Sequence, residues 1–150
     1  MKQYHILLLF LCSLSLLISC AEDPVVEARP SEPQIEIISI TPLEVQEFTN
    51  EVVITIAYTD YDGDLGTEDP DEETLLVQDS RLDTPDGFHV PPIAPVGEEV
   101  PISGTLVIPL NPLFLLGNGD EETAFFTLRI KDRAGNWSED VITETVTIKR

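Results

Sequence analysis

Thiols are nearly missing from this chain. Cys12 and Cys20 are its two cysteines in 150 residues, both within the first twenty, so a disulfide framework is excluded for everything that follows. Bases are scarce too: 8 Lys and Arg stand against 28 Asp and Glu, a formal net charge of −20. A chain this acidic does not hold nucleic acid or an anionic membrane face by charge; it attracts cations, basic partners or water. Histidine appears only as His5 and His89. Ser-His-Asp or Cys-His chemistry would therefore rest on His89, a loop residue beside Val90-Pro91-Pro92, and no glycine-flanked nucleophile elbow is present. Paired carboxylates can cleave a glycoside, but a small domain with short turns offers few walls for a cleft. The sequence nominates no catalytic residue, and a non-enzymatic role is expected. Helical periodicity is also lacking: no ten-residue stripe survives outside the N-terminus, although 69–77 could make one turn, and twelve prolines suit strand edges better than helices.

One long apolar run exists. Ile6 to Ile18 follows Lys2 and ends at Ser19-Cys20. Thirteen helical residues rise about 20 Å, short of a hydrocarbon core of about 30 Å, so a secretory signal fits better than a spanning anchor. Its end resembles a bacterial lipobox. That resemblance implies a signal peptide over 1–19, cleavage before Cys20, and lipid on the Cys20 thiol. Loss of the leader would leave 131 residues, enough for one domain with a real core, and losing Lys2 moves the net charge from −20 to −21. The acyl chains, at about 0.8 kcal/mol per buried CH₂, would hold the protein to a bilayer.

Residues 20–33 follow as a tether. From Ala21 to Pro33 there are three prolines, four acids and no apolar period, the composition of an extended, solvated segment. No Asp stands directly after Cys20, so the inner-membrane retention signal of enterobacterial lipoproteins is missing. Glu22-Asp23 resembles the surface-export signal of Bacteroidota lipoproteins. An outer-membrane lipoprotein is expected, surface-exposed or facing the periplasm.

From Gln34 onward the apolar residues alternate with period two. Val52, Ile54, Ile56 and Tyr58 share one face; Ala124, Phe126, Leu128 and Ile130 share another; Ile142, Val146 and Ile148 alternate with threonines. The phase changes at Ile37-Ile38, as a bulge requires. Turn signals fall between these runs at Asp62-Gly63, Asp86-Gly87, Gly117-Asn118-Gly119 and Ala134-Gly135-Asn136. About seven strands are predicted, over 34–41, 51–59, 74–79, 87–90, 102–110, 123–131 and 140–149. The pattern predicts an all-β fold over 34–150, a single immunoglobulin-like antiparallel β-sandwich, with a small open barrel as the alternative. The Pro-rich segment 80–100 reads as an insertion or an edge.

The strongest local motif is Thr59-Asp60-Tyr61-Asp62-Gly63-Asp64-Leu65-Gly66. Carboxylates at alternate positions around a glycine suit a loop wrapped on a hard cation, and calcium takes 6–8 oxygens. Two carboxylates about 4 Å apart repel by about 4 kcal/mol at an effective dielectric of 20, so this loop needs splay or a counter-ion. It is not an EF-hand: Leu65 stands where that loop wants Gly, Asp71 where it wants Glu, and a strand precedes it. It resembles the acidic D-x-D-G-D loops of calcium-loaded β-sandwich modules. Arg129 to Ser138, with Asp132, Gly135 and Asn136, resembles the F–G hairpin of bacterial Ig-like and cadherin-like repeats. In a sandwich those two loops share one end, so Asp132 could complete a site begun by Asp60, Asp62 and Asp64, with Glu68, Asp69 or Asp71 as further ligands for Ca²⁺. A solvated Asp/Gly turn needs no metal, and both readings stand. Asn136-Trp137-Ser138 matches a glycosylation sequon and is read as a turn.

Together, the lipobox, the Y-T-D-x-D-G-D-L-G loop and the D-R-A-G-N-x-S turn resemble small Bacteroidota lipoproteins with one Ig-like or cadherin-like domain. The resemblance implies fold and location, not a chemistry. The expected function is a membrane-anchored, non-catalytic lipoprotein whose domain binds a protein or glycan partner or acts as a spacer, with calcium as a stabiliser. The alternative is a carbohydrate-recognition accessory of an outer-membrane nutrient-uptake system. Nucleic acid is not an expected partner.

Overall fold

The computed structural model describes residues 29–150. The leader, Cys20 and most of the tether lie outside the described residues. Ten strands carry the fold: β1 (Gln34–Thr41), β2 (Glu44–Gln46), β3 (Val53–Asp60), β4 (Leu75–Asp79), β5 (Asp86–Phe88), β6 (Ile102–Pro109), β7 (Glu121–Ala124), β8 (Phe126–Ile130), β9 (Val141–Ile142) and β10 (Val146–Lys149). No α-helix occurs among the described residues.

The strands form two layers. One is β1-β3-β6; the other is made by β5-β4-β8-β9 and β2-β10-β7. Alternation decides which face each strand buries. Along β3, Ile54 and Ile56 are wholly buried, as are Leu128 and Ile130 on β8 and Val146 and Ile148 on β10, and all belong to one core. Burying each such side chain contributes about 1.5–3 kcal/mol, and β-branched residues suit the pleated surface. The result is the expected all-β, immunoglobulin-like sandwich.

Three extra strands separate the ten from the seven expected, each for a physical reason. First, β2 is new: after Thr41-Pro42 the chain leaves β1's layer, and Glu44–Gln46 runs parallel to Thr147–Lys149 of β10, so the pairing is not wholly antiparallel. Three residues give too short a pattern to see. The other two arise because both strands of the last hairpin are interrupted. Thr127 pairs with Ile142, but Ala124 pairs with Val146, so the register slips between them. At the slip the Thr143 hydroxyl accepts the Phe126 N–H at 3.0 Å, standing in for a backbone carbonyl. The bulge of β1 lies between Ile37 and Ser39, where the phase change puts it.

The pairing also fixes the poles of the molecule. Gln34 pairs with Thr59 and Asp60 with Ile102, whereas Thr41 pairs with Val53 and Val53 with Pro109. The chain therefore enters β1 at the pole where β3 ends. Across β3 and β6, Tyr58 lies over Gly104, and a Cβ there would meet its hydroxyl oxygen at 2.6 Å.

Leu128 has no exposed surface while Ile142 is 62% exposed. Leu128→Ala is expected to destabilise by about 2–5 kcal/mol, and Ile142→Ala by under about 0.5 kcal/mol. Urea denaturation followed by tryptophan fluorescence measures both.

Candidate functional site

Strand β3 ends in Asp60, which is 1% exposed. One carboxylate oxygen accepts the Asp62 N–H at 3.1 Å; the other accepts those of Asp64 at 2.7 Å and Leu65 at 3.0 Å. The loop thus folds back on the side chain that starts it, as Asp does in turns, and with the strength of charge-assisted bonds. Gly63 and Gly66 have φ of 71° and 82°. A Cβ at either would overlap a backbone carbonyl, of Val100 or Pro91 respectively, so the turn admits no side chain there.

The second loop is built the same way. Asp132, 2% exposed, accepts the Asn136 N–H at 2.7 Å and the Asn136 side-chain amide at 2.9 Å. Its backbone N–H donates to the Asn136 carbonyl at 3.0 Å, closing the turn.

The two loops meet. Leu65 and Asp132 form an isolated antiparallel bridge. The Arg133 N–H donates to the Asp64 carbonyl at 3.1 Å, and the Ala134 N–H to the Asp64 carboxylate at 3.0 Å. The Arg133 guanidinium spans the first loop, donating to the carbonyls of Gly66 at 3.0 Å, Leu65 at 3.3 Å and Gly63 at 3.4 Å. Three carbonyls of the acidic loop are thus bonded to an arginine.

Of the expected ligands, Asp60, Asp64 and Asp132 are brought together at one pole. Burial, then the neighbouring Asp132 charge, pushes the Asp64 carboxyl above its ordinary 3.8; Asp60 adds to this, while the Ala134 amide and Arg133 oppose it. One Asp64 oxygen, Oδ1, is buried without a hydrogen-bond partner. Asp62 is exposed at the rim of an open depression of about 400 Å³ that also takes in Asp64, Glu98, Glu99 and Arg133. Glu68 and Asp69 are exposed, and Asp69 accepts the Asp71 N–H at 3.0 Å, a local turn. Among the described residues no three carboxylate, His or Cys side chains stand close enough to hold a metal ion. The oxygens of Asp60 and Asp132 bond to amides, leaving Asp64 Oδ1, Asp62 and the glutamates of the depression for any cation.

Residues 29–31 lie on the same pole. Arg29 sits over the Tyr61 ring at 5.6 Å, and the Asn136 amide reaches the Ser31 carbonyl at 3.4 Å. Trp137 has Arg129 over its ring at 4.6 Å and Lys131 at 5.7 Å. His89 is half-buried, its Nδ1 without a partner.

Sequence reasoning missed Arg133, although it stands inside the quoted D-R-A-G-N turn; a base between two acid clusters was the available signal. It also missed Arg81. That guanidinium holds Asp79 through Nε at 3.0 Å and Nη2 at 2.7 Å, and donates through Nη1 to the Phe114 carbonyl at 2.9 Å and to Glu122 at 3.1 Å. No sequence pattern joins residues this far apart.

Two outcomes test the tip. Asp60→Ala orphans three amides and is expected to cost about 3 kcal/mol or more; the shift in urea midpoint measures it. Asp64 favours its protonated form in the fold, so its contribution to stability is present below its unfolded value of 3.8 and fades as pH rises through the higher folded value. Asp64→Asn is therefore expected to raise the midpoint at pH 7 in calcium-free buffer, with the gain shrinking as pH falls toward 3.5.

No protein-family model matches this chain, and no curated protein matches it. Among solved structures it is similar to a mutant of the SrpA adhesin from Streptococcus sanguinis, at 22% identity and a TM-score of 0.36 over 81% of this chain. The match spans 58% of the adhesin chain, and a likeness that distant carries no argument about function.

Proposed function

We propose that this chain is a non-catalytic lipoprotein, held to the outer membrane through Cys20 and displayed at the cell surface, whose immunoglobulin-like domain serves as a binding or spacer module. The observation that carries the non-catalytic reading is the use made of the buried acids. Asp60 and Asp132 bond to main-chain amides, so they brace loops instead of facing a cleft. The lipobox-like Leu17-Ile18-Ser19-Cys20 supports the anchoring, and residues 29–31 touch the pole where β1 begins. With the anchor behind it, the rest of the sandwich extends away from the membrane.

Calcium is the metal part of the proposal. It is supported by Asp64 Oδ1, buried and unpartnered, and by the acids around the adjoining depression. Bound there it would neutralise repulsion between loops and stiffen the tip. The carbohydrate alternative gains less support. Trp137 and Tyr61 have cations over their rings, Tyr58 is buried, and flat, open rings are what sugars stack on.

Fractionation tests the anchor: wild-type chain is expected with membranes and Cys20→Ala in the soluble fraction. Equal partition would overturn it. For the metal, EDTA is expected to lower Tm, and Asp64→Asn to abolish that response; identical melts with and without EDTA would remove calcium from the reading.

A further inference from the structure

At the pole opposite the tether the surface changes character. Phe48 is 68% exposed, and Phe114, Leu82 and Leu116 are 44%, 45% and 45% exposed. The rings of Phe48 and Phe114 stack, 5.5 Å apart and 4° from parallel. Phe48 has φ of 58°, a left-handed conformation that bulky residues rarely adopt, and strain of this kind collects where a surface is used. Its N–H donates to the Leu113 carbonyl at 2.9 Å, which holds the ring on the rim.

Behind Phe114 opens a cavity of about 240 Å³. Its floor is apolar, with Val77, Leu110, Leu113 and Phe126, and its rim carries Asp86 and the Arg81–Asp79 pair. The wall is set before any partner arrives. Arg81 fixes the Phe114 carbonyl, Asp79 and Glu122 together, and pre-set walls lose little freedom on binding. Pockets for whole small molecules run about 300–1,000 Å³; this one fits a single large side chain.

Charge selects the occupant. Among the described residues Arg81 is the one cation lining the cavity, with every guanidinium nitrogen bonded to protein oxygen, and Asp86 joins no ion pair. Asp83 follows Leu82 in sequence and is exposed; Glu121 and Glu122 open β7, Glu122 held by Arg81, and Asp120 before them stands beside Arg150. A second copy of this chain would bring its own −20 to an acidic rim, which disfavours self-association.

We infer that this pole is a docking surface for a basic polypeptide segment, with one aromatic side chain entering the cavity between Phe114 and Leu82 and flanking lysine or arginine meeting Asp86 and Asp83. The inference rests on the proposed role as a binding module and names its class of partner. A polypeptide supplies what the site asks for: an apolar knob of one side chain with cations one residue to either side.

Fluorescence anisotropy with a dye-labelled pentapeptide containing Lys-Phe-Lys tests this. The full chain is used, purified from whichever fraction retains it and carried in neutral-lipid nanodiscs if that is the membrane, so failure of lipid anchoring does not affect the result. Saturable binding is expected. Replacing the probe's Phe by Ala, or both Lys by Glu, is expected to weaken it at least 10-fold, as is Phe114→Ala. Leu82→Ser, also at an exposed position, is expected to weaken it too, and Asp86→Asn to flatten its salt dependence. Glu139→Gln, exposed at the opposite pole, is expected to leave binding unchanged. Absence of saturable binding, equal affinity for Glu-Phe-Glu, or indifference to both Phe114→Ala and Leu82→Ser would overturn the inference. Sedimentation showing dimers that Phe114→Ala dissociates would overturn it in favour of a second copy.

Discussion

The Asp60 carboxylate is the constraint on which the acidic pole depends. Three amides converge on it, and the chain from Asp62 to Leu65 takes its path from that convergence. Because the loop is fixed there, its carbonyls face outward in a set that Arg133 can span, and the β8–β9 hairpin is drawn against the end of β3. A neutral side chain at position 60 would leave buried donors unmet, which costs more than the bonds themselves contribute. Acidity, which looks like a surplus in the composition, is at this pole a structural requirement.

Arg133 changes how the acidic motif is understood. Carboxylates packed this closely need compensation, and an arginine supplies part of it from within the chain. Its planar fork bonds three carbonyls at once, which a lysine could not do in the same geometry. Residual strain collects on Asp64, whose carboxyl is pushed upward by burial and by its acidic neighbours. Arg81 does the corresponding work at the other pole, where it ties the end of β4 to the 110–117 loop and to β7.

Much of the fold was legible in the sequence because alternation is a direct imprint of burial. The runs around Ile54, Leu128 and Ile148 face the core as their periods require, and the phase change at Ile37-Ile38 marked a real bulge. What escaped is what alternation does not encode. The parallel pairing of Glu44–Gln46 depends on a partner a hundred residues away, and the register slip at Phe126 depends on a hydroxyl replacing a carbonyl. The meeting of the Asp60 loop with Asp132 followed from topology, since both loops close the same end of a sandwich. Glu68 and Asp69 were nominated by nearness in sequence, and their backbone turns them to solvent. Phe48 gave no signal, because a left-handed aromatic residue has no sequence signature.

The direction in which β1 runs has a mechanical consequence. Its first residue lies at the acidic pole, beside residues 29–31, and its eight residues pair along most of β3. A force applied between residue 29 and the far pole runs parallel to that ladder, so its hydrogen bonds are strained side by side in shear and must fail together. Peeling them one at a time would need a pull across the strands, which a load on residue 29 does not supply. Such a load meets the β1–β3 pairing as a pull meets a lap joint.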